Sequence, residues 1–389
     1  MNPLTKLAAE NETAFYVFDI KKLKERVARL KSALPQDVDL CYAVKANTFI
    51  IKELIGSVER FEVCSPGEAS ICAALGVPEE KTVISGVYKT PDVIETMVAS
   101  SSKRIFTVES LVQFELLDSL SKKYNKVLKV LLRLTNDSQF GINAGEIEDI
   151  VKNRGEYKSL DILGLQFFSG TQKASFKKLR REIAHLDELL LKLQSEYGFV
   201  SRELEYGPGF PVAYFEGEDF GEEELIAQFS DALSSMQFKA KISLELGRSI
   251  AACCGSYCAH VVDIKRNKGQ NYILIDGGMH HLVYFGQHMA MKHPLLFVPG
   301  KETEEKEEAW NICGSLCSMN DIVAKQVMLP RVKLGDMICF ENTGAYCMTE
   351  GISLFLSREI PAVYLKKENG DFLCVRKKFE TSVLNTPKY

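Results

Sequence analysis

Short apolar runs alternate with longer, charge-rich segments through the first two thirds of the chain. The segments between the runs repeat their apolar residues at helical spacing. Eight strand–helix units over roughly 210 residues predict a (β/α)8 barrel, a fold of about 250 residues. A doubly wound open sheet is the alternative architecture. The eight predicted strands are Val38–Val44, Arg60–Cys64, Thr82–Ser85, Arg104–Thr107, Val127–Leu134, Leu160–Phe168, Glu203–Tyr206 and Lys241–Glu245.

From about Ser256 the pattern changes to strands separated by turn residues, with little helix. We therefore expect a β-sandwich or β-barrel domain after the (β/α)8 barrel. The early run Ala14–Phe18 precedes the amphipathic segment Lys21–Leu34, and we expect this strand to pack with the β domain. The later predicted strands are His260–Ile264, Asn271–Ile275, Asp336–Glu341, Ala362–Leu365 and Phe372–Lys377. The expected division is 1–35 for the N-terminal strand and helix, 36–252 for the barrel and 253–389 for the C-terminal β domain.

Composition and charge narrow the class of protein. The chain has 389 residues, 46% apolar and 26% charged, which suits one large or two ordinary domains. Its net charge of -4 is spread without a basic stripe, which argues against nucleic acid as a partner. No apolar run approaches the length that crosses a bilayer, so we expect no membrane segment. Eleven cysteines without a secretion signal are expected to be free thiols of a cytoplasmic protein.

Two further patterns are expected to be structural. Cys253, Cys254 and Cys258 lie in an apolar, strand-like run without a second pair at zinc spacing, so we expect no metal site there. The charged run Lys301–Glu308 is expected to be a solvated loop or the start of a helix.

The residues that directly follow the barrel strands should form the functional face, because this fold carries its active sites at the carboxyl ends of its strands. Lys45 ends the apolar run Tyr42–Val44 and is followed by small and polar residues. A partly desolvated amine has a lowered pKa and a free lone pair for attack on a carbonyl carbon. We therefore predict that Lys45 is a Schiff-base lysine, although a lysine in this position can also be an ordinary solvated strand end.

Other residues of the same rim point to a cofactor. Small residues follow the sixth and seventh strands, in Ser169–Gln172 and Gly207–Phe210, and Arg248 follows the eighth. Backbone N–H groups in such turns bind phosphate. Glu245 adds a buried carboxylate, which could instead pair with an arginine. A lysine, a phosphate site and an acid are the groups that pyridoxal 5'-phosphate needs, so we predict this cofactor.

Six motifs in combination resemble the fold-type III pyridoxal-phosphate-dependent decarboxylases, which include the diaminopimelate, ornithine and arginine decarboxylases. The resemblance covers nearly the whole chain, from Ala14 to about Leu365. The motifs are Tyr42-Ala43-Val44-Lys45-Ala46-Asn47, Gly207-Pro208-Gly209-Phe210, Glu245-Leu246-Gly247-Arg248, Asp276-Gly277-Gly278-Met279, Cys313-Gly314-Ser315-Leu316-Cys317 with Asp321, and Gly344-Ala345-Tyr346.

The resemblance implies roles for the matching residues. It implies that Lys45 binds the cofactor as a Schiff base and that Glu245 contacts the pyridine nitrogen. Members of this family are typically homodimers with shared active sites, so the resemblance also implies that Cys317 reaches the partner protomer's site and helps to protonate the substrate carbon. The other expected cofactor contacts are Arg133, Phe168, Thr171, Gly207, Gly209, Gly247, Arg248 and Tyr346.

Three departures from the family pattern concern the ring and the substrate. Phe168 stands where the family usually has a histidine, and a phenyl ring packs on the cofactor without donating a hydrogen bond. The loop after Cys317 keeps only its second acid, Asp321, and the run after Met279 lacks the arginine of diaminopimelate decarboxylases. A distal amino-acid head group would leave unpaired charges there, at a cost of several kcal/mol, which argues against diaminopimelate. The candidate substrate-binding residues are His280, His281, Tyr284, Ser318 and Asp321.

These observations predict a pyridoxal-phosphate-dependent decarboxylase that removes the α-carboxylate of an amino acid. The substrate is either a free amino acid with a basic or apolar side chain, or an amino acid that is conjugated or tethered to a carrier protein. A fold-type III amino-acid racemase is one alternative, because it would share the barrel and the lysine. A non-catalytic pyridoxal-phosphate-binding or regulatory protein is another, although the presence of both Lys45 and Cys317 favours an enzyme.

Overall fold

The structure is a computed structural model that describes residue 4, residues 6–7, residue 11 and residues 13–388. The chain divides into two compact units. The barrel unit consists of Arg26–Pro211 and Phe220–Ile250. The β unit consists of the described residues up to Glu25, of Val212–Asp219 and of the described residues from Ala251 onward. The first strand of the chain, β1 (Phe15–Asp19), belongs to the β unit.

Eight parallel strands close into a barrel in the barrel unit. They are β2 (Asp39–Ala43), β3 (Arg60–Val63), β4 (Thr82–Ile84), β5 (Ile105–Val108), β6 (Leu128–Arg133), β7 (Leu160–Phe168), β8 (Glu203–Gly207) and β9 (Lys241–Leu246). Each strand pairs with its neighbour in sequence, and β9 pairs with β2 to complete the ring. The predicted (β/α)8 barrel is confirmed, and the open sheet is excluded. The predicted strand ends differ from the observed ends by at most one residue.

Helices connect the barrel strands, and their ends carry recognisable caps. Ser65 Oγ and Ser110 Oγ accept the backbone N–H groups of Glu68 and Gln113, which begins two of these helices. Gly198 ends the longest helix in the left-handed region, at φ 60°. In the described part of the chain from Phe15 onward, the α-helices are α1 (Ile20–Ala33), α2 (Ile51–Leu54), α3 (Pro66–Ala74), α4 (Pro91–Ser100), α5 (Leu111–Tyr124), α6 (Ala144–Lys152), α7 (Phe176–Tyr197), α8 (Glu222–Ser234), α9 (Arg248–Ala251) and α10 (Ser382–Asn385).

The barrel interior has an apolar part and a polar part. The strands are buried on both faces, so a strand such as Ile105–Val108 is fully buried along its length. β3, β7, β8 and β9 contribute buried polar side chains, among them Glu62, Gln166, Glu205 and Glu245. An apolar cluster is formed by Cys41, Val83, Ile105, Leu131 and Leu163. Because buried polar groups need partners, the polar side of the interior is where chemistry is expected.

The β unit is a nine-stranded sheet with little helix. Its later strands are β10 (Gly255–Asn267), β11 (Gln270–Ile275), β12 (Leu296–Phe297), β13 (Glu308–Cys313), β14 (Ile322–Leu329), β15 (Met337–Glu341), β16 (Ala362–Lys366) and β17 (Phe372–Arg376). β1 lies between β10, which is antiparallel to it, and β16, which is parallel to it. The core of this unit includes Phe15, Val17, Cys258, Met337 and Cys339.

The sequence analysis does not predict three strands of the β unit, β12, β13 and β14. β12 has only two residues. The register between β13 and β14 shifts twice, between Trp310 and Ile312 and between Ile312 and Cys313. Each shift moves a side chain to the other face and breaks the period of two on which strand prediction depends. Among the described residues, no helix is long and apolar enough to span a bilayer.

Candidate active site

Lys45 lies just beyond the carboxyl end of β2, in a single helical turn formed by Val44–Ala46. Two hydrogen bonds around Asn47 hold the turn. Tyr42 Oη donates to the carbonyl oxygen of Asn47 at 2.9 Å, and Asn47 Oδ1 accepts the backbone N–H of Phe49 at 2.9 Å. The backbone on both sides of Lys45 is therefore fixed, and its side chain is directed to the neighbouring strand ends.

The ammonium group of Lys45 lies among two carboxylates and a thiol. Its Nζ atom is 2.6 Å from Glu62 Oε2, 3.4 Å from Glu245 Oε1 and 3.5 Å from Cys64 Sγ. The thiol of Cys64 in turn donates to Glu62 Oε1 at 3.1 Å. Glu62 and Glu245 come from strands on opposite sides of β2 in the barrel. Lys45, which follows β2, thus contacts one residue on each of the two strands that flank β2.

The two carboxyl groups titrate in opposite directions. Burial acts to raise the pKa of Glu62, but the charge and the hydrogen bond of Lys45 outweigh burial and lower the pKa. For Glu245, burial and the charge of Glu62 together raise the pKa to about 7, against the opposing effect of Lys45. Glu62 is therefore the ionised partner of the lysine, and Glu245 is poised to gain or lose a proton near neutral pH.

Further polar groups surround Glu245 at the ends of β6 and β7. Gln166 Nε2 donates to Glu245 Oε2 at 2.9 Å. Arg133 Nη1 donates to Glu109 Oε2 at 2.8 Å, and both side chains are buried. In the described part of the chain, Arg133 Nε and Glu109 Oε1 have no hydrogen-bond partner. Buried polar atoms rarely stay unpaired in native proteins, so Arg133 has a donor left for a bound group.

Two glycine-rich turns pack against each other at this rim. Gly209 has φ 63°, and a Cβ atom there would overlap the carbonyl oxygen of Gly170. The backbone N–H of Lys173 donates to the carbonyl oxygen of Gly209 at 2.9 Å. Arg248, at the start of α9, donates from Nε to Thr171 Oγ1 at 3.3 Å. Only a residue without a side chain allows this close approach of two backbones.

Phe168 ends β7 and packs on the next strand. A Cβ atom at Gly207 would overlap the Phe168 ring, so the glycine makes room for it. The ring is partly exposed. The structure therefore brings together, at one end of the barrel, seven of the residues singled out in the sequence: Lys45, Arg133, Phe168, Thr171, Gly209, Glu245 and Arg248.

The remaining candidate residues lie in the β unit. Asp321 is 2% exposed, and its two oxygens accept the backbone N–H groups of Met279 and Leu316 at 2.8 Å each. A Cβ atom at Gly278 or Gly314 would overlap the Asp321 carboxylate. The carboxylate thus organises the turn that follows β11 and the loop that follows β13.

The two histidines and Tyr284 are also buried. Burial and the neighbouring His281 lower the pKa of His280 to about 3, and burial lowers the pKa of His281 to about 4. The His281 ring lies 3.0 Å from Tyr257 Oη through Nδ1 and 2.7 Å from the carbonyl oxygen of Glu359 through Nε2. Tyr284 Oη donates to the carbonyl oxygen of Glu341 at 2.7 Å. Both histidines are therefore neutral near pH 7.

Three further candidates lie in loops or turns of the β unit. The Cys317 side chain is exposed, in the loop between β13 and β14. Ser318 is partly buried, and its Oγ accepts the backbone N–H of Asn320 at 3.3 Å. Tyr346 has φ 65° in the turn after β15. A left-handed tyrosine is rare and is typical of a functional position.

The donor set of the barrel end fits pyridoxal phosphate. An aldehyde needs an amine, and Lys45 supplies it. A pyridine nitrogen needs an acid, and Glu245 is buried with a pKa near neutrality. A phosphate needs N–H donors without obstructing side chains, and the Gly170 and Gly209 turns with Arg248 provide them. The unpaired Nε atom of Arg133 supplies one more donor.

The sequence analysis misses several polar residues of the barrel interior, of which Glu62, Cys64, Glu109, Gln166 and Glu205 are the main ones. A signal exists for some of them. The strands Arg60–Val63 and Glu203–Gly207 each carry a charge at every second position between fully buried neighbours. In a barrel whose outside is covered by helices, such charges must point into the interior.

Comparison with known proteins supports the predicted cofactor. Residues 20–252 match the model of the pyridoxal-binding domain of pyridoxal-dependent decarboxylases. A Niallia circulans decarboxylase that acts on L-glutamyl-BtrI acyl-carrier protein is 26% identical, over 96% of this chain and 93% of its own. The diaminopimelate decarboxylase of Aquifex aeolicus is 27% identical, over 96% of this chain and 91% of its own.

A solved structure extends the comparison to the fold. The crystal structure of the diaminopimelate decarboxylase of M. jannaschii in complex with L-lysine has a TM-score of 0.86 to this structure, at 22% sequence identity. The match covers 98% of this chain and 93% of the other. The barrel and the sheet domain therefore form one known architecture.

Proposed function

The chain belongs to the family of pyridoxal-dependent decarboxylases, and we propose that its substrate is an amino acid whose distal end is conjugated or attached to a carrier protein. The chain is a pyridoxal-phosphate-dependent carboxy-lyase that removes the α-carboxylate of an amino acid as carbon dioxide. The proposal concerns the far end of the substrate, where diaminopimelate, lysine and ornithine all carry an ammonium group.

The observation that carries the proposal is that Asp321, the acid that the family resemblance assigns to the substrate's far end, is already engaged by the protein's own backbone. Both oxygens of Asp321 are bound to backbone N–H groups, and the residue is 2% exposed. His280 and His281 are neutral near pH 7. A distal ammonium group would have to compete with these backbone N–H groups for the Asp321 carboxylate, so the loss of its water there is costly.

The charge next to this loop is positive. Arg358 is exposed and donates from Nη2 to the carbonyl oxygen of Ser315 at 2.9 Å. A guanidinium group repels an ammonium group but accommodates a carbonyl oxygen or an anion. These charges support a substrate whose distal carboxyl group is an amide or a thioester.

A pocket of about 430 Å³ lies beside the same loop in the β unit. Its lining is mostly apolar and includes Met279, Leu282, Ala290, Met319 and Val323. Methionine side chains adapt to irregular ligands because they are flexible and polarizable. The pocket is within the size range of small-ligand sites and offers space for an extended, uncharged tail.

We assign the following roles to the barrel residues. Pyridoxal phosphate, when bound, supplies an electron-accepting ring for the electron pair of the broken C–C bond. Lys45 Nζ would hold the cofactor by its aldehyde group, and Glu62 holds the lysine in position. Glu245 would face the pyridine nitrogen, and its negative charge would favour the protonated form of that nitrogen. Phe168 provides an apolar face for the ring.

The other assigned roles concern the phosphate and the proton. Thr171, Gly207, Gly209, Gly247 and Arg248 would hold the phosphate, and Arg133 would donate from Nε to the cofactor. The family resemblance also assigns Tyr346 to the phosphate. Cys317 Sγ is exposed on its loop and delivers a proton to the substrate carbon, with Lys45 Nζ as the alternative donor.

We also propose a homodimer with shared sites, in which Cys317 acts in the partner's active site. The exposure of Cys317 on its loop supports this arrangement, because an exposed thiol is accessible to a second protomer. We propose a cytoplasmic location, since none of the eleven cysteines forms a disulfide in the described part of the chain.

The test measures the release of carbon dioxide by the cofactor-loaded enzyme and compares two groups of substrates. One group contains meso-diaminopimelate, L-lysine and L-ornithine. The other contains L-glutamate linked through its distal carboxyl group to a pantetheine thioester or to an alkyl amide. We expect a higher kcat/KM for the linked compounds, by at least about 100-fold, which corresponds to the loss of one well-made charge interaction.

Two variants make the test specific for the distal group. Arg358→Glu should weaken the preference for linked substrates, since it places a free carboxylate at the loop. Arg331→Glu, which changes an exposed arginine in the turn after β14, is the matched control and should leave the preference unchanged. Efficient turnover of a free diamino acid, with no gain for the linked compounds, would refute the proposed substrate class.

A further inference from the structure

Three neighbouring strands place a row of buried polar side chains inside the barrel. Gln166 on β7 is in register with Glu205 on β8, and Glu205 is in register with Ser243 on β9. Residues in register on parallel strands lie side by side on the same face. Gln166 is 1% exposed, and the other two are fully buried.

The alternation of β8 shows that this face is the interior. Tyr206 donates from Oη to Glu182 of α7, which covers the outside of the barrel, at 2.6 Å. Glu203 forms an ion pair with Arg60 of β3 across the interior. Side chains alternate between the two faces along a strand. Glu205 is two residues from Glu203 and one residue from Tyr206, so its carboxyl group points inward like that of Glu203.

Within the described residues, this row contains four oxygen atoms without a hydrogen-bond partner: Glu205 Oε1 and Oε2, Gln166 Oε1 and Ser243 Oγ. Buried polar atoms are almost always paired. If Glu205 were ionised, its carboxylate oxygens and Gln166 Oε1 would all be acceptors, and no hydrogen bond could form between them. A protonated carboxyl group would instead have a donor for the amide oxygen and an acceptor for the serine hydroxyl.

The surrounding charges favour the protonated form. Burial raises the pKa of Glu205 well above its usual value, and the charges of Glu245, Glu203 and Glu62 act in the same direction. Arg60 acts in the opposite direction, but its guanidinium group is engaged by Glu203. From β2, the buried thiol of Cys41 faces the same region and is itself uncharged near pH 7, because burial raises its pKa.

We propose that Glu205 is a positioning residue that acts as a neutral acid: it donates to Gln166 Oε1, directly or through one buried water, and so fixes the orientation of the Gln166 amide. In that orientation Gln166 Nε2 donates to Glu245 Oε2, as observed at 2.9 Å. A reversed amide would present its oxygen to Glu245 and would require that carboxyl group to be protonated. Glu205 therefore controls the charge of Glu245 indirectly, through the orientation of the Gln166 amide.

The inference goes beyond the substrate and holds for any amino acid that the enzyme decarboxylates. A carboxylate at the pyridine nitrogen is useful only while it is negative, because only then does the nitrogen keep its proton. A second charged residue in contact with Glu245, in addition to Lys45, would serve less well, since it would compete with the cofactor. A neutral hydrogen-bond relay sets the orientation without adding a charge.

The experiment compares Glu205→Gln with Glu205→Leu. Glutamine keeps a neutral donor, and leucine removes it while filling a similar volume. Infrared difference spectra of the cofactor-free proteins should show the carbonyl stretch of a protonated carboxyl group in the wild type and in Ser243→Ala, and its loss in Glu205→Gln. This measurement needs only the folded Gln variant. A wild-type spectrum without that band would refute a neutral Glu205.

A second readout reports on the charge of Glu245. Pyridoxal phosphate labelled at the ring nitrogen with the heavy nitrogen isotope gives a resonance that shows whether this nitrogen is protonated. We expect a protonated nitrogen in the wild type and in Glu205→Gln, and a lower nitrogen pKa, by about one unit, in Glu205→Leu. We also expect kcat of Glu205→Leu to fall by about tenfold or more with KM little changed.

Two results would overturn the inference. If Glu205→Gln resembled Glu205→Leu in the nitrogen resonance, the wild-type residue would act through a negative charge. If Glu205→Leu left the resonance unchanged, Glu205 would only fill space. Neither result bears on the choice between free and conjugated substrates, so this inference and the proposed substrate class can fail independently.

Discussion

Lys45 Nζ lies 2.6 Å from Glu62 Oε2, on β3, the strand that follows the turn of Lys45 in the chain. Glu245 Oε1, at 3.4 Å, is the more distant carboxylate. This inequality separates the two acids chemically. The ionised Glu62 pairs with the ammonium group of Lys45, so the carboxyl group of Glu245 remains available for a second partner.

The first prediction concerns the pH dependence of stability in the cofactor-free protein. The folded-state pKa of Glu62 lies below the ordinary value of 4.5. Its pair with Lys45 therefore stabilises the fold above that pH, and the stabilisation is lost as pH falls through the folded-state pKa. We expect Glu62→Gln to lower the melting temperature at pH 7, with a smaller difference at pH 4. A constant difference across this range would contradict the ion pair.

Lys45→Ala should abolish the visible absorption of the bound cofactor and reduce kcat by at least about 1,000-fold, because the covalent amine is lost. Lys192→Ala is the control: this lysine pairs with Glu148 on the surface of the barrel unit. Absorption spectra after addition of pyridoxal phosphate check the prediction. An intact spectrum with normal turnover in Lys45→Ala would assign the amine to another residue.

Gly209→Ala should weaken the binding of pyridoxal phosphate by about 10-fold to 100-fold, since a Cβ atom there overlaps the carbonyl oxygen of Gly170 and φ is positive. Gly155→Ala is the matched control, because a Cβ atom there meets nothing within 4 Å and its φ is not in the left-handed region. Fluorescence titration with the cofactor measures both affinities. Equal affinities would mean that the two turns do not hold the phosphate.

Arg133→Met should destabilise the protein by about 3 kcal/mol or more, because it leaves the buried carboxylate of Glu109 without its cation. The control is Arg202→Met, which breaks a solvent-exposed pair with Asp161 and should cost less than about 1 kcal/mol. Urea unfolding of the cofactor-free proteins gives both values. A cost for Arg133→Met no larger than the control would show that Glu109 is neutral or hydrated.

Cys317→Ala should lower kcat by about 100-fold or more without changing stability, because the side chain is exposed and its assigned role is proton transfer. Cys374→Ala, at another exposed cysteine, is the control. Rates of carbon dioxide release and of amine formation should be measured separately. Unchanged rates of both in Cys317→Ala would remove this thiol from the reaction.

The sequence is sufficient to predict the barrel because parallel strands buried on both faces are continuous apolar runs. It is also sufficient to predict that Lys45 and Glu245 lie near the carboxyl ends of barrel strands, where this fold carries its active sites. Glu62, Gln166 and Glu205 are harder to predict, because a charged residue within a strand normally marks the solvent face. Their inward direction follows only from the closure of the barrel and from its helical cover. The hydrogen bonds of Asp321 to two backbone N–H groups are also hard to predict from the sequence, because they depend on the geometry of two loops.

The placement of β1 between β10 and β16 has a consequence for biosynthesis. A ribosome makes Phe15–Asp19 first but reaches Ala362–Lys366 only near the end of the chain. At about 5–20 residues per second, β1 waits on the order of tens of seconds for its second neighbour. During this time an apolar strand has an unpaired edge, which is a template for association with other chains. A nascent chain that stops before β16 is therefore expected to aggregate or to need a chaperone, even though all of its barrel strands have been made.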